Sequence, residues 1–241
     1  MFDSVSNWDD SWEMDESVGE YRDRVRQKVP PFYNGQHHIF ILLAASLIGT
    51  IVPLAFWVAD GGSISEFLLI VPFALTCCNI FEYLMHRFGG HSALASLIPL
   101  LKLVRFYHSV VHHTFFGGGA TSDAELPNDV FFILFPRWVY MVWLLSSALP
   151  LLVAPASWLL LVACASYSLL QYELFHTFHH GALPPRVQAW LESIPALRAM
   201  KRRHRLHHSG ACDTCFNITW PLADRFFGTF ARDDGCCSPC A

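Results

Sequence analysis

The sequence predicts an all-α integral membrane protein: four transmembrane helices carrying a cytoplasmic, histidine-rich helical cap. Three observations predict it. Apolar residues make up 53% of the 241 and charged residues only 15%, with a mean hydropathy of +0.34. Four stretches are long and apolar enough to cross a bilayer, whose hydrocarbon of about 30 Å takes roughly 20 helical residues. Thirdly, all but two of the 13 histidines fall in four short clusters. The charge balance, 16 Lys+Arg against 20 Asp+Glu, offers no basic surface for nucleic acid.

In chain order, residues 1–30 read as an acidic, disordered tail, because the first twenty are rich in Asp and Glu and lack bases. Residues 31–232 read as the membrane-embedded domain and 233–241 as a cysteine-rich tail. The expected spans run over 38–59, 64–85, 131–153 and 157–175. Pro150 and Pro155 mark the turn of the last hairpin, and Arg137 can extend its stem to the interface. Basic residues collect before the first span (Arg22, Arg24, Arg26, Lys28), between the second and third (Arg87, Lys102, Arg105) and after the fourth (Arg198, Lys201, Arg202, Arg203, Arg205). The connections at 60–63 and 154–156 have none, so both termini and the histidines are expected in the cytoplasm. No cleavable signal peptide is expected, since the apolar run behind the polar start is too long for one.

The histidines carry the chemistry. His86 and His91 are spaced H-x4-H; His108, His112 and His113 form H-x3-H-H; His176, His179 and His180, and again His204, His207 and His208, form H-x2-H-H. The pairs 108/112, 176/180 and 204/208 are each four residues apart, a spacing that one helix face presents side by side. All four clusters are expected in one layer at the cytoplasmic face, where ten imidazoles can fill the shells of two metal ions and leave positions open. His37 and His38 read as polar tips at the interface. Glu82 and Glu173 lie one helical turn deeper than His86 and His176. A carboxylate at that depth costs about 2.5 to 3.5 kcal/mol unless it finds a donor, and a ligating imidazole N–H is such a donor.

Other segments carry weaker signals. Phe115, Phe116 and the glycines 117–119 could form a lid or an ordinary loop. Lys201, Arg202, Arg203 and Arg205 could hold an anionic headgroup or only anchor the cytoplasmic side. Cys212, Cys215, Cys237 and Cys240 have the spacing of a zinc ribbon, but they flank other motifs and Cys236 is left over, so acylated or exposed thiols are the simpler expectation. Cys77, Cys78 and Cys164 fall inside spans and read as small apolar residues.

EYLMHRFGGH at 82–91, HSVVHH at 108–113, ELFHTFHH at 173–180, HRLHH at 204–208 and NITWPLADRFFGTF at 217–230 together resemble the fatty acid hydroxylase / sterol desaturase superfamily. The closing segment is carried by Asp224, Phe227, Gly228 and Thr229. The spacing of His176 and His180 resembles the lipid acyl hydroxylase branch, with His179 as an extra histidine. Three residues separate His108 from His112 where several members have two, and no fused b-type cytochrome domain is present. The resemblance implies a non-haem di-iron oxygenase hydroxylating a lipid C–H bond, on a fatty acyl chain before a sterol or carotenoid. It implies as metal ligands His86, His91, His108, His112, His113, His176, His180, His204, His207 and His208, with His112, His207, Glu82 and Glu173 as the residues on which catalysis depends. The implied cofactors are two iron ions (zinc possible in isolated protein) and O2. Electrons would come from an external donor, a b-type cytochrome or a ferredoxin with its reductase, in the endoplasmic reticulum or bacterial inner membrane. A histidine-rich metal transport or storage protein is the alternative from another class; it would place ligands along the spans.

Overall fold

A computed structural model describes residues 17–117, 123–148, 155–209 and 213–231. Every element among the described residues is helical. The first, α1 (Val18–Arg26), starts where Ser17 and Glu20 form a reciprocal capping box, and it buries Tyr21, Arg22 and Val25. The acidic tail expected up to residue 30 therefore gives way to packed helix at residue 17. The alternation of charges with Tyr21 and Val25 is an amphipathic turn pattern that bulk composition conceals.

Two long helices follow. In α2 (Gly35–Ala59) Asn34 caps the start by accepting from the His37 N–H at 2.9 Å. In α3 (Ile64–Leu84) Ser63 and Glu66 form a second capping box. The α3 backbone then continues through Met85–His91 in wider π-type turns. A short 3₁₀ stretch, Ala93–Leu97, leads into α4 (Pro99–Arg105), which again opens into π-type turns over Phe106–His112. Leu94, Leu97, Ile98 and Leu100 stay exposed there. Beyond a 3₁₀ turn at Pro127–Phe132 lies α5 (Arg137–Ala148), and then the long α6 (Ala156–His179). Three shorter helices complete the chain: α7 (Pro185–Ser193), α8 (Pro195–His208) and α9 (Leu222–Phe226).

Among the described residues, three helical stretches are long and apolar enough to cross a membrane: Gly35–Ala59, Ile64–His91 and Ser157–His179. The first, second and fourth expected spans coincide with these. The third does not stand as drawn. Phe131 and Phe132 belong to the 3₁₀ turn, helix resumes only at Arg137, and residues 149–154 lie outside the described residues. Pro136 sets this boundary, since the residue before a proline avoids helical backbone; apolarity alone could not reveal it.

Small residues let α2 and α6 approach closely. Ala45, Ser46, Ala163 and Ser166 are buried between the spans, and a Cβ added at Gly49 would lie 2.7 Å from the Ser166 Oγ. Trp143 of α5 donates to that same Oγ at 2.9 Å, tying three helices at one point. This is the small-residue packing expected where lipid supplies no hydrophobic drive between helices. It brings the C-terminal ends of α3 and α6, each tipped with histidines, against α8.

Candidate metal centre

The ten imidazoles expected as ligands gather into two groups of five. One holds His86, His91, His108, His113 and His207; the other holds His112, His176, His180, His204 and His208. Within each group one ring nitrogen per residue lies within 4.8 Å of all the others. All members of the second group are buried, whereas His91, His108 and His113 of the first are half-exposed.

Helix winding decides which histidine joins which group. In α6, His176 and His180 are one α-helical turn apart and point together, as do His204 and His208 in α8; His207, one residue earlier, turns to the other group. The expected pairing of His108 with His112 is corrected: His108 goes with His113, and His112 with the buried group. Residues five apart lie about 140° apart around an α-helix. The π-type turns over Phe106–His112, bonded five residues apart, instead bring such residues to one side. The same winding over Met85–His91 unites His86 with His91.

Gly90 sits inside this winding. A Cβ there would lie 2.8 Å from the His108 Cδ2, so only glycine lets that ring close against the backbone. Gly90→Ala is expected to displace His108 and weaken metal held by the half-exposed group about 10- to 100-fold, like loss of a ligand-orienting partner. Metal titration of the purified variant would check this, and wild-type affinity would count against the crowding argument.

Carbonyl oxygens, not carboxylates, orient three of the rings. Nδ1 of His112 faces the Phe132 carbonyl at 2.8 Å and Nδ1 of His207 faces that of Thr214 at 2.9 Å; Nδ1 of His86 faces the Phe216 carbonyl. A carbonyl only accepts, so each of these Nδ1 atoms carries the proton and each Nε2 presents a lone pair inward. Burial holds His112 at about 4 and His207 at about 3, and pushes His108, His113, His204 and His208 well below the usual imidazole value. All six are neutral at physiological pH and competent to ligate.

The residues fit two metal ions. His112 Nε2 lies 3.1 Å from that of His176 and 3.2 Å from that of His208; His204 and His180 approach to 2.9 Å. In the other group His108 Nε2 is 3.1 Å from that of His91 and 3.2 Å from that of His113. His112 Nε2 carries no proton, so it turns a lone pair toward both of these neighbours. Metal–nitrogen bonds of about 2.0–2.1 Å put neighbouring ligand atoms about 2.9–3.4 Å apart, the separation seen here. The buried Nε2 atoms of His86 and His207 lack any hydrogen-bond partner among the described residues, which agrees with a lone pair reserved for an ion.

Among the described residues neither Glu82 nor Glu173 is hydrogen-bonded to an imidazole, which corrects the direct bond expected from sequence. Glu82 accepts from the Ile218 N–H at 2.6 Å, the Thr219 N–H at 2.9 Å and the Thr219 hydroxyl at 2.5 Å. Asp224 takes the two preceding amides, Phe216 and Asn217, both at 2.9 Å, and the Thr229 hydroxyl at 2.8 Å. Two carboxylates thus hold four consecutive amides in the segment whose Phe216 carbonyl orients His86. Gly228, at φ +73°, lets the chain turn so that Phe227 stacks on Tyr83 at 4.9 Å. Glu173 accepts from the Tyr140 hydroxyl at 2.6 Å and the Phe135 N–H at 3.0 Å, holding the strip that carries the Phe132 carbonyl. Sequence spacing placed both acids near the histidines but could not show that backbone stands between them.

The other residues singled out by the sequence lie in varied surroundings. His38 is buried, its ring bridging the Tyr33 hydroxyl and the Phe135 carbonyl at 2.7 and 2.9 Å, and is no surface tip. His37 is exposed as expected. His179 is buried with its ring 5.0 Å from that of His204, outside both groups, and neither of its ring nitrogens has a hydrogen-bond partner among the described residues. Lys201 and Arg205 pair with acids: Lys201 with Glu192 at 2.9 Å, Arg205 with Asp123 at 2.7 Å. Phe115 and Phe116 are wholly buried beside the centre, while residues 118 and 119 of the expected lid lie outside the described residues, as do Cys212, Cys236, Cys237 and Cys240.

The fatty acid hydroxylase family model matches residues 71–229, which contain every histidine of both groups. Two dihydroceramide fatty acyl 2-hydroxylases of Arabidopsis thaliana are similar. One is 23% identical over 227 residues, covering 87% of this chain and 86% of the relative. The other is 24% identical over 163 residues, covering 67% and 60%. No solved structure matches the chain. The fold and site together define a helical protein with candidate membrane spans and two imidazole groups, each of which could hold a metal ion. With the match spanning most of its length, the chain belongs to the fatty acid hydroxylase family and is a lipid hydroxylase, an oxidoreductase.

Proposed function

We propose that the protein is a di-iron fatty acyl hydroxylase that places one oxygen atom of O2 on carbon 2 of an acyl chain, the position named for its plant relatives. The observation that carries this is the pairing of two five-imidazole groups whose nitrogens stand at ligand spacing. The overall reaction consumes one C–H bond, O2, two electrons and two protons, and yields the alcohol and water. Bound iron would supply the redox chemistry that activates O2, which redox-inert zinc cannot. His86, His91, His108, His113 and His207 would hold one ion, and His112, His176, His180, His204 and His208 the other.

The chain's own residues position and exclude. Backbone carbonyls fix the tautomers of His86, His112 and His207, so ligation needs no proton release from them. Glu82 and Glu173 act one step further out, by holding the strips that bear those carbonyls. The half-exposed group leaves room for substrate and oxygen, while Phe115 and Phe116 close the buried group against water. An acyl chain would reach the centre from among the apolar helices, and α5 would belong to a fourth span. Lys and Arg clusters support placing the centre on the cytoplasmic side, within reach of a separate one-electron carrier.

The test is metal analysis of anaerobically purified protein together with mass spectrometry of host lipids. Two iron ions per chain and acyl lipids heavier by one oxygen are expected. Zinc as the only metal that supports turnover, or no lipid gaining oxygen, would overturn the reading.

A further inference from the structure

The N-terminal helix reaches the centre through one side chain. Arg22, 2% exposed, donates from Nε to the Phe115 carbonyl at 2.6 Å and pairs through Nη1 with Glu125 at 2.6 Å. Its guanidinium stands 5.1 Å from the Phe115 ring and 5.8 Å from the Phe116 ring. Arg26 braces the same place from one turn away, bonding Asp129 at 2.8 Å and Glu125 at 2.9 Å. The two strips so clasped, 115–116 and 125–132, both touch the buried imidazole group. Phe116 packs 4.1 Å from the His180 ring and 5.2 Å from that of His112. Phe115 stacks at 4.1 Å on Phe132, whose carbonyl orients His112.

We propose that Arg22 is a positioning residue for the buried imidazole group, acting through the Phe115 carbonyl and the Phe116 ring. The inference rests on the two-metal reading above. A guanidinium suits the task because its planar fork can meet a carbonyl and a carboxylate at once while its face lies along aromatic rings. A helix that served only as an anchor would have no use for a buried cation at this spot. The burial is tolerated because the charge is bonded on both sides. Without Arg22, Phe116 is free to withdraw from His180, and the Phe132 strip loses one of its supports; in the other group His86 and His207 are held by the Phe216 and Thr214 carbonyls, on a segment apart from both strips.

The experiment uses full-length protein reconstituted with cobalt and follows release of the ions to a chelator. Wild type is expected to release cobalt in two phases, fast from the half-exposed group and slow from the buried one. In Arg22→Gln the slow phase is expected to accelerate about tenfold, the lower end of what loss of an outer support costs, with the fast phase unchanged. Arg22→Lys, which keeps the charge but not the fork, should recover part of the difference. Unchanged phases, or both phases accelerated alike as general loosening would do, overturn the proposal. Should Arg22→Gln fail to accumulate, Arg22→Lys and Glu125→Ala are read by the same criterion. Wild type that binds no cobalt would overturn the metal reading instead.

Discussion

Replacing His207 by alanine is expected to remove one metal equivalent and nearly all turnover, while the second ion stays bound. Its ring lies 4.6 Å from that of His86 and 4.8 Å from those of His91 and His113. Its Nδ1 is committed to the Thr214 carbonyl, so Nε2 is the atom left to bind an ion. Truncation takes away a bond to the ion itself, and the loss should exceed the 10- to 100-fold (roughly) that follows removal of an outer-sphere partner. The remaining ion persists because His204 and His208, on the same helix, serve the other group. Elemental analysis and lipid turnover on one preparation decide it. Two ions and normal activity would remove His207 from the shell.

The second large effect is expected at Glu82. Glu82→Ala strips the Ile218 and Thr219 amides and the Thr219 hydroxyl of their acceptor, and each unsatisfied buried group costs about 1–3 kcal/mol. The Phe216 carbonyl then shifts away from His86, and activity should fall about 10- to 100-fold with a lowered unfolding temperature. Glu82→Gln keeps an amide oxygen for the two N–H donors and should retain most of both. An alanine variant as stable and active as wild type would show that Asp224 alone holds the segment; a glutamine variant as damaged as alanine would show that charge matters here, not acceptance.

How much of this could be read from sequence depends on how regular the backbone is. Hydropathy located three of the spans because α2, α3 and α6 are unbroken helices, and it misplaced the start of the other because a 3₁₀ turn ending before Pro136 is as apolar as the helix behind it. Spacing grouped His176 with His180 and His204 with His208 because α6 and α8 wind regularly. It failed at His108, His112 and His113 because π-type turns alter the angle per residue, and no propensity reports such turns. The ring partners were missed for a different reason. Carbonyls are present at every position, so nothing in the letters marks those of Phe132, Thr214 and Phe216. Arg22 was legible only as one of four basic residues near the first span, since its role requires contact with positions about a hundred residues away.

The separation of the ligands along the chain also governs when a metal can be captured. His112 and His208 stand 96 positions apart yet share one ion's worth of space, and the partner group likewise waits for His207. A ribosome-bound fragment lacking α8 can offer only partial sets of imidazoles. Neither five-imidazole set is therefore complete until that helix has been made and docked against the others.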